Sequence, residues 1–113
     1  MSKRSQWTCG LRVWLENDGH VVLGRGRVEL LEAIEQQHSI RKAAASLGMS
    51  YRKAWRLVQS VNAASETLVV EAITGGTAGG GATVTPYGKE AIRQFHTLDR
   101  ALRATAERVL KRL

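Results

Sequence analysis

Arg52 and Arg56 stand four residues apart in the run Ser50-Tyr51-Arg52-Lys53-Ala54-Trp55-Arg56. On a helix, that spacing sends both guanidinium groups out of one face, about one turn apart. An arginine fork matches the O6 and N7 acceptors that guanine shows in the major groove, and each good contact of this type discriminates by about 1–3 kcal/mol. Ser50 and Tyr51, at the head of the run, suit a phosphate or a first base edge; Lys53 suits the sugar–phosphate backbone. The chemistry open to these residues is recognition, not bond-making. The plainer alternative is a solvated cationic helix face.

Such side chains can read DNA only from a helix seated on a second one. The stretch from Ser39 to Leu57 has the pattern of two short helices joined at Gly48. Ser39 is placed to cap the first, and Ala43, Ala44 and Leu47 form its expected inward stripe. Gly48 supplies the positive φ needed for a tight helix exit. Met49 is expected to plug the core beneath the turn, and Ser50 to cap the second helix through its hydroxyl. Ala54, Leu57, Val58 and Val61 then make an inward face at helical spacing. Arg41 and Lys42, on the first helix, fit positions flanking the backbone of the duplex, or an ordinary exposed role. Trp55 fits either DNA contact or packing against an upstream hairpin, with packing preferred.

The balance of charge points the same way. The 113 residues carry 17 Lys and Arg against 10 Asp and Glu, a net +7, which favours polyanionic partners. No acidic residue occurs between Gln36 and Ser65, where Arg41, Lys42, Arg52, Lys53 and Arg56 all fall. Cys9 is the only cysteine, so neither an internal disulfide nor a cysteine-cluster metal site is open to the chain. His20, His38 and His96 show no ligand spacing. No paired carboxylates, activated serine or cysteine, or His-Glu constellation supports catalysis. The expectation is a protein that is not an enzyme and has no cofactor or metal. No apolar run reaches the roughly 20 residues of a membrane span, and the N-terminus lacks a secretory h-region. A soluble, cytoplasmic protein is expected.

The flanking elements complete a recognisable order. Residues 1–10 read as a flexible N-terminus. Leu11, Val13 and Leu15 alternate with Arg12, Trp14 and Glu16 as in a half-buried strand. Asn17-Asp18-Gly19 makes a turn, and His20 to Leu23 the returning strand. A helix is expected from Arg27 to about Gln37, with Val28, Leu31 and Ile34 inward and Glu29, Glu32 and Glu35 toward water. Leu68–Ile73 and Ala82–Thr85 are strand-like and bracket Thr74 to Gly81, which holds five of the 11 glycines. A hairpin with such a tip, after a recognition helix, is a wing. Thr74, Gly75, Gly76 and Thr77 are accordingly candidate contacts to the minor groove or backbone, although a tip that touches nothing fits too. A nucleotide P-loop is not expected, since a strand follows Gly81 and not a lysine opening a helix.

Thr85-Pro86 opens a last helix to about Arg112, threonine as cap and proline in the first turn. Ala91, Phe95, Leu98, Leu102 and Val109 fall at spacings of four, three, four and seven, a heptad seam broken at Thr105. Core packing within one chain and dimerisation both fit this seam, and dimerisation is favoured because about 25 helical residues outrun a core of this size. The fold expected is mainly α with small β-hairpins: a winged helix-turn-helix over 11–85 and a dimerisation helix over 86–113. Two-fold pairing would set the recognition helices about 34–36 Å apart on a palindromic site.

Three stretches resemble the N-terminal winged-helix domain of the ModE family of molybdate-responsive regulators, itself related to the LysR-type DNA-binding domain. They are Ser50 to Trp55, the segment Val70–Gly76 with Gly79–Thr85, and Gly24 to Ile34. The resemblance covers roughly residues 11 to 110. It implies a sequence-specific double-stranded-DNA-binding regulator acting as a homodimer, with control of molybdenum-related genes by analogy alone. No residue here corresponds to the family's molybdate site, so molybdate binding does not carry over. Two other readings compete: a winged-helix module that presents its basic face to an acidic protein partner, and a non-specific nucleic-acid binder.

Overall fold

A computed structural model of the chain describes residues 6–73 and 81–113. The candidate wing-tip contacts Thr74, Gly75, Gly76 and Thr77 lie outside the described residues. The order of elements is β1 (Trp14–Asn17), β2 (His20–Gly24), α1 (Arg25–Gln37), α2 (Ile40–Ser46), α3 (Tyr51–Ala64), β3 (Val70–Ile73), β4 (Gly81–Val84) and α4 (Pro86–Leu110). Four helices and two antiparallel hairpins, β1–β2 and β3–β4, form a mainly α, winged-helix-like fold with a long C-terminal helix.

The first hairpin turns where Asp18 and Gly19 both take positive φ, 50° and 78°. Two successive positive values match the right-handed twist of the paired strands. The strand is shorter than its alternation suggested, because Leu11 to Val13 have no pairing partner in the β1–β2 register. Helix α1 begins two residues earlier than expected. Extended Gly24 is its N-cap and Gly26 lies inside the first turn. Its C-cap is His38 at φ 54°, whose carbonyl accepts a hydrogen bond from Ala82 N–H at 3.1 Å. That bond carries β4 past the end of α1, and a Cβ on Gly81 would stand 2.8 Å from the same carbonyl oxygen.

The core gathers Leu23, Leu30, Leu31, Ile34, Val61 and Val69 with the buried faces of all four helices. Leu47 departs from the expected stripe and is 40% exposed. Helix α2 ends at Ser46, so Leu47 is its C-cap, at φ −101° and ψ 4°, and helical periodicity no longer governs where its side chain goes. Glu32 departs too: it is half-buried, and its carboxylate pairs with His96 Nε2 at 3.1 Å, tying α1 to α4. Helix α4 buries only Gly88, Ile92 and Phe95, all in its first ten residues. Twenty-five residues span about 37 Å, so its second half runs beyond the core. There Arg103 donates to Asp99 and to the Leu11 carbonyl. The bond from Arg103 holds the Asp99 carboxyl below its ordinary value. The stability drawn from that pair is therefore present at neutral pH and lost on acidification.

Two polar clamps join the elements. Asn62 of α3 accepts from Val69 N–H and Val70 N–H at 2.8 and 3.1 Å and donates to the Val70 carbonyl at 2.9 Å. Thr85 donates to the Leu68 carbonyl and accepts from Gly88 N–H, capping α4 while holding the base of the second hairpin. Replacing Asn62 by alanine should lower unfolding free energy by about 1–3 kcal/mol in denaturant titration, because the Val69 and Val70 amides lose their acceptor. Gly88→Ala should also destabilise, by about 1–3 kcal/mol through overpacking. The new Cβ would lie 2.6 Å from the Val69 carbonyl oxygen and 2.8 Å from Val84 Cγ1. An unclashed glycine-to-alanine change inside a helix has the opposite sign, so the direction of the Tm shift is the readout.

Candidate nucleic-acid interface

The two-helix unit seats α3 by one narrow face. Ala54, Val58 and Val61 are buried, and Leu57 is half-buried against the core. Ala43 and Ala44 of α2 are buried opposite them. Gly48 sits at φ 65° in the four-residue connection between the helices. Met49 is half-buried against the core, beneath the turn. Both helices start on a serine cap: Ser39 Oγ accepts from Lys42 N–H and Ser50 Oγ from Lys53 N–H, each at 3.1 Å.

With that face inward, Arg52, Lys53 and Arg56 are exposed on α3, as are Arg41 and Lys42 on α2. Among the described residues none of these five side chains makes a hydrogen bond or an ion pair. Some cations elsewhere are engaged: Arg25 pairs with Glu29, Arg93 with Glu90 and Arg103 with Asp99, while Arg27 donates to the Val21 carbonyl; Arg12, Lys89, Arg100, Lys111 and Arg112 have no side-chain partner among the described residues. Helices α2 and α3 themselves hold no acid, while Glu66 follows α3 by two residues and Glu71 lies on β3. Glu29, Glu32 and Asp99 line an open groove of about 940 Å³ between the first hairpin, α1 and α4. What sets α2 and α3 apart is that their five cations have no acid among them, whereas cations and acids are mixed along α1 and α4.

Trp55 is 38% exposed and stands outside the buried core. Its position on the helix explains why. Lys53 and Leu57 face the hairpin, where they share a shallow depression with Val21, Arg27 and Met49. Trp55 is seven residues, two turns, from Asn62, which grips the base of the wing, so it lies along the wing-side flank. Arg41 lies over the Tyr51 ring, 4.2 Å from its centroid. That contact joins two helices across ten residues of sequence, and no periodicity announces it. The Asn62 clamp was equally hidden, because a half-buried asparagine late in a helix carries no pattern of its own.

The seam on α4 divides. Phe95 is 5% exposed within the chain's own core and Ala91 packs against it, because the first turns of α4 lie on the domain. Leu98 and Leu102 are each 40% exposed and Val109 is 59% exposed. No helix among the described residues is long and apolar enough to cross a membrane.

No family model matches the chain. It is 36% identical over 103 residues to the molybdenum transport protein ModE of Azotobacter vinelandii, covering 90% of this chain and 38% of that protein. To the molybdenum-pterin-binding protein MopB of Rhodobacter capsulatus it is 42% identical over 91 residues, 80% of this chain and 33% of that one. The DNA-binding transcriptional dual regulator ModE of Escherichia coli (strain K12) shows 40% identity over 72 residues, 64% of this chain and 28% of its own length. The chain thus spans about a third of the curated relatives it matches. Identities of this size, over most of the chain, relate it to the ModE family.

Proposed function

We propose that this chain is a sequence-specific double-stranded-DNA-binding transcriptional regulator that works as a homodimer on a palindromic site, in the control of molybdenum-related genes. The observation that carries the reading is the set of five exposed cations on α2 and α3 without a carboxylate partner among the described residues. Unpaired cations on a convex helix pair keep their full attraction for phosphate, and phosphate contacts dominate affinity. Arg52 and Arg56 read bases from the major groove. Lys42, Lys53 and Arg41 hold the backbone, with Ser50 and Tyr51 at the helix start. The wing, with Thr74, Gly75, Gly76 and Thr77, lies along the adjacent minor groove or backbone. The relatives named as regulators support the transcriptional role, and their molybdenum names support its subject.

The exposed half of α4 supports the dimer. Leu98, Leu102 and Val109 leave an apolar stripe on a helix that extends past its own core. A stripe of this kind buries itself against a second copy, and two-fold pairing duplicates the recognition helix. In this reading residues 11–85 form the DNA-binding unit and 86–113 the joining helix. Leu98→Glu with Leu102→Glu should convert the dimer to a monomer in light scattering and leave the helical circular-dichroism signal intact. A dimer that survives the pair of substitutions places the contact elsewhere.

A duplex selected from random DNA tests the recognition face. Arg52→Ala and Arg56→Ala should each lose about 1–3 kcal/mol on the selected site and little on scrambled duplex. Lys42→Ala and Lys53→Ala should weaken both duplexes alike and flatten the salt dependence by about one unit of log–log slope each. Equal losses on every duplex for all four variants would contradict the base-reading assignment. A wild-type chain that selects no site would favour the acidic-protein or non-specific alternatives.

A further inference from the structure

Arg41 and Tyr51 sit on either side of the connection between α2 and α3, and their side chains meet. The guanidinium carbon lies over the ring at 4.2 Å from its centroid, well inside the roughly 6 Å reach of a cation–π contact. Both residues are exposed, and among the described residues neither side chain has a hydrogen bond or a carboxylate partner. The backbone under the ring is anchored, since Tyr51 opens α3 directly after the capping Ser50. A guanidinium has two distinct surfaces: a flat face that an aromatic ring can cover, and an edge carrying five N–H donors. Here the guanidinium carbon lies over the ring, and among the described residues none of the guanidinium N–H donors is used in a hydrogen bond.

We propose that Arg41 and Tyr51 act as one unit, in which the Tyr51 ring is a positioning residue that holds the Arg41 guanidinium by its face so that the free N–H edge receives a phosphate of the duplex. The inference rests on the DNA-binding reading above and alters one part of it: Tyr51 works through its ring, not through its hydroxyl. An arginine already held near its bound geometry loses less rotamer freedom when the phosphate arrives. The unit also separates the neighbours Arg41 and Lys42. Lys42 has no aromatic support and acts as a point charge, whereas Arg41 is a fork with a fixed seat. An ammonium has no flat face or fork, so lysine at position 41 does not reproduce the unit.

Two measurements on the intact chain test this. In the free protein, ring current should shift the Arg41 side-chain protons upfield by NMR; the shift should persist in Tyr51→Phe and vanish in Tyr51→Leu. In titrations of the DNA-selected duplex, Tyr51→Leu should weaken binding roughly two- to fivefold, the range a surface cation–π contact corresponds to. Tyr51→Phe should stay within about twofold of wild type, and Arg41→Lys should fall clearly short of it. In an Arg41→Ala background, Tyr51→Leu should bring no further loss, and Arg41→Ala alone should lower the log–log salt slope by about one. If Tyr51→Phe loses as much as Tyr51→Leu, the hydroxyl is the contact and the proposal fails. If the Arg41→Ala and Tyr51→Leu losses multiply independently, the two side chains are not a unit and it fails as well. A wild type that shows the ring-current shift yet binds no duplex overturns the DNA reading and the phosphate role with it, while the contact itself stands.

Discussion

Ala43, Ala44 and Ala54 are almost wholly buried, at 0%, 1% and 0% exposure, and the outward face of the two-helix unit depends on that small-residue seat. Short side chains let α2 and α3 approach closely, so the inward face of the unit is narrow and Tyr51, Arg52, Trp55 and Arg56 are left exposed on α3. A larger residue at any of the three positions would meet a core packed to crystal-like density and tilt the helix that carries Arg52 and Arg56. The serine caps at Ser39 and Ser50 and the left-handed turn at Gly48 then set where each helix begins relative to the other. The cations are aimed by packing and capping, since no carboxylate nearby pulls them into place.

Placement of the acids is the second half of the design. Carboxylates are concentrated on α1, on the first hairpin and along α4, where Arg25, Arg93, Arg103 and His96 meet them in pairs. Exposed pairs of that kind contribute little stability each. Their effect here is on the field: carboxylates partly offset the cations of α1 and α4, whereas the five cations of α2 and α3 have no acidic residue between Gln36 and Ser65 to offset them. A polyanion approaching from solution meets an acid-free patch on the face that presents the arginines, which favours encounter there.

Much of this was legible in the chain. The Asn17-Asp18-Gly19 turn, the serine caps, Gly48, the alanine-rich stripe and Thr85-Pro86 each have a local physical reason, and local reasons survive in sequence. What was not legible came from tertiary neighbours. Leu47 fell out of its stripe because α2 stops one residue too soon, and periodicity does not report where a seven-residue helix ends. Trp55 is left outside the core because Leu57, two residues on, packs against that core. Glu32 met His96 across 64 residues of sequence, and Arg41 met Tyr51 across a turn. The α4 seam read as one heptad stripe, although its first half is core and its second half is not; that division depends on how far the domain reaches along the helix, which a repeat cannot state.

The central claim is that duplex DNA lies against α2 and the first turns of α3. The most direct measurement is a backbone-amide NMR titration of the intact chain with duplex DNA, mapped residue by residue. The account predicts the largest shifts at residues 39–42 and 50–56, with the groove between the first hairpin, α1 and α4 quiet apart from any effect of dimerisation. Shifts concentrated around Glu29, Glu32 and Asp99, with Arg52 and Arg56 undisturbed, would contradict it.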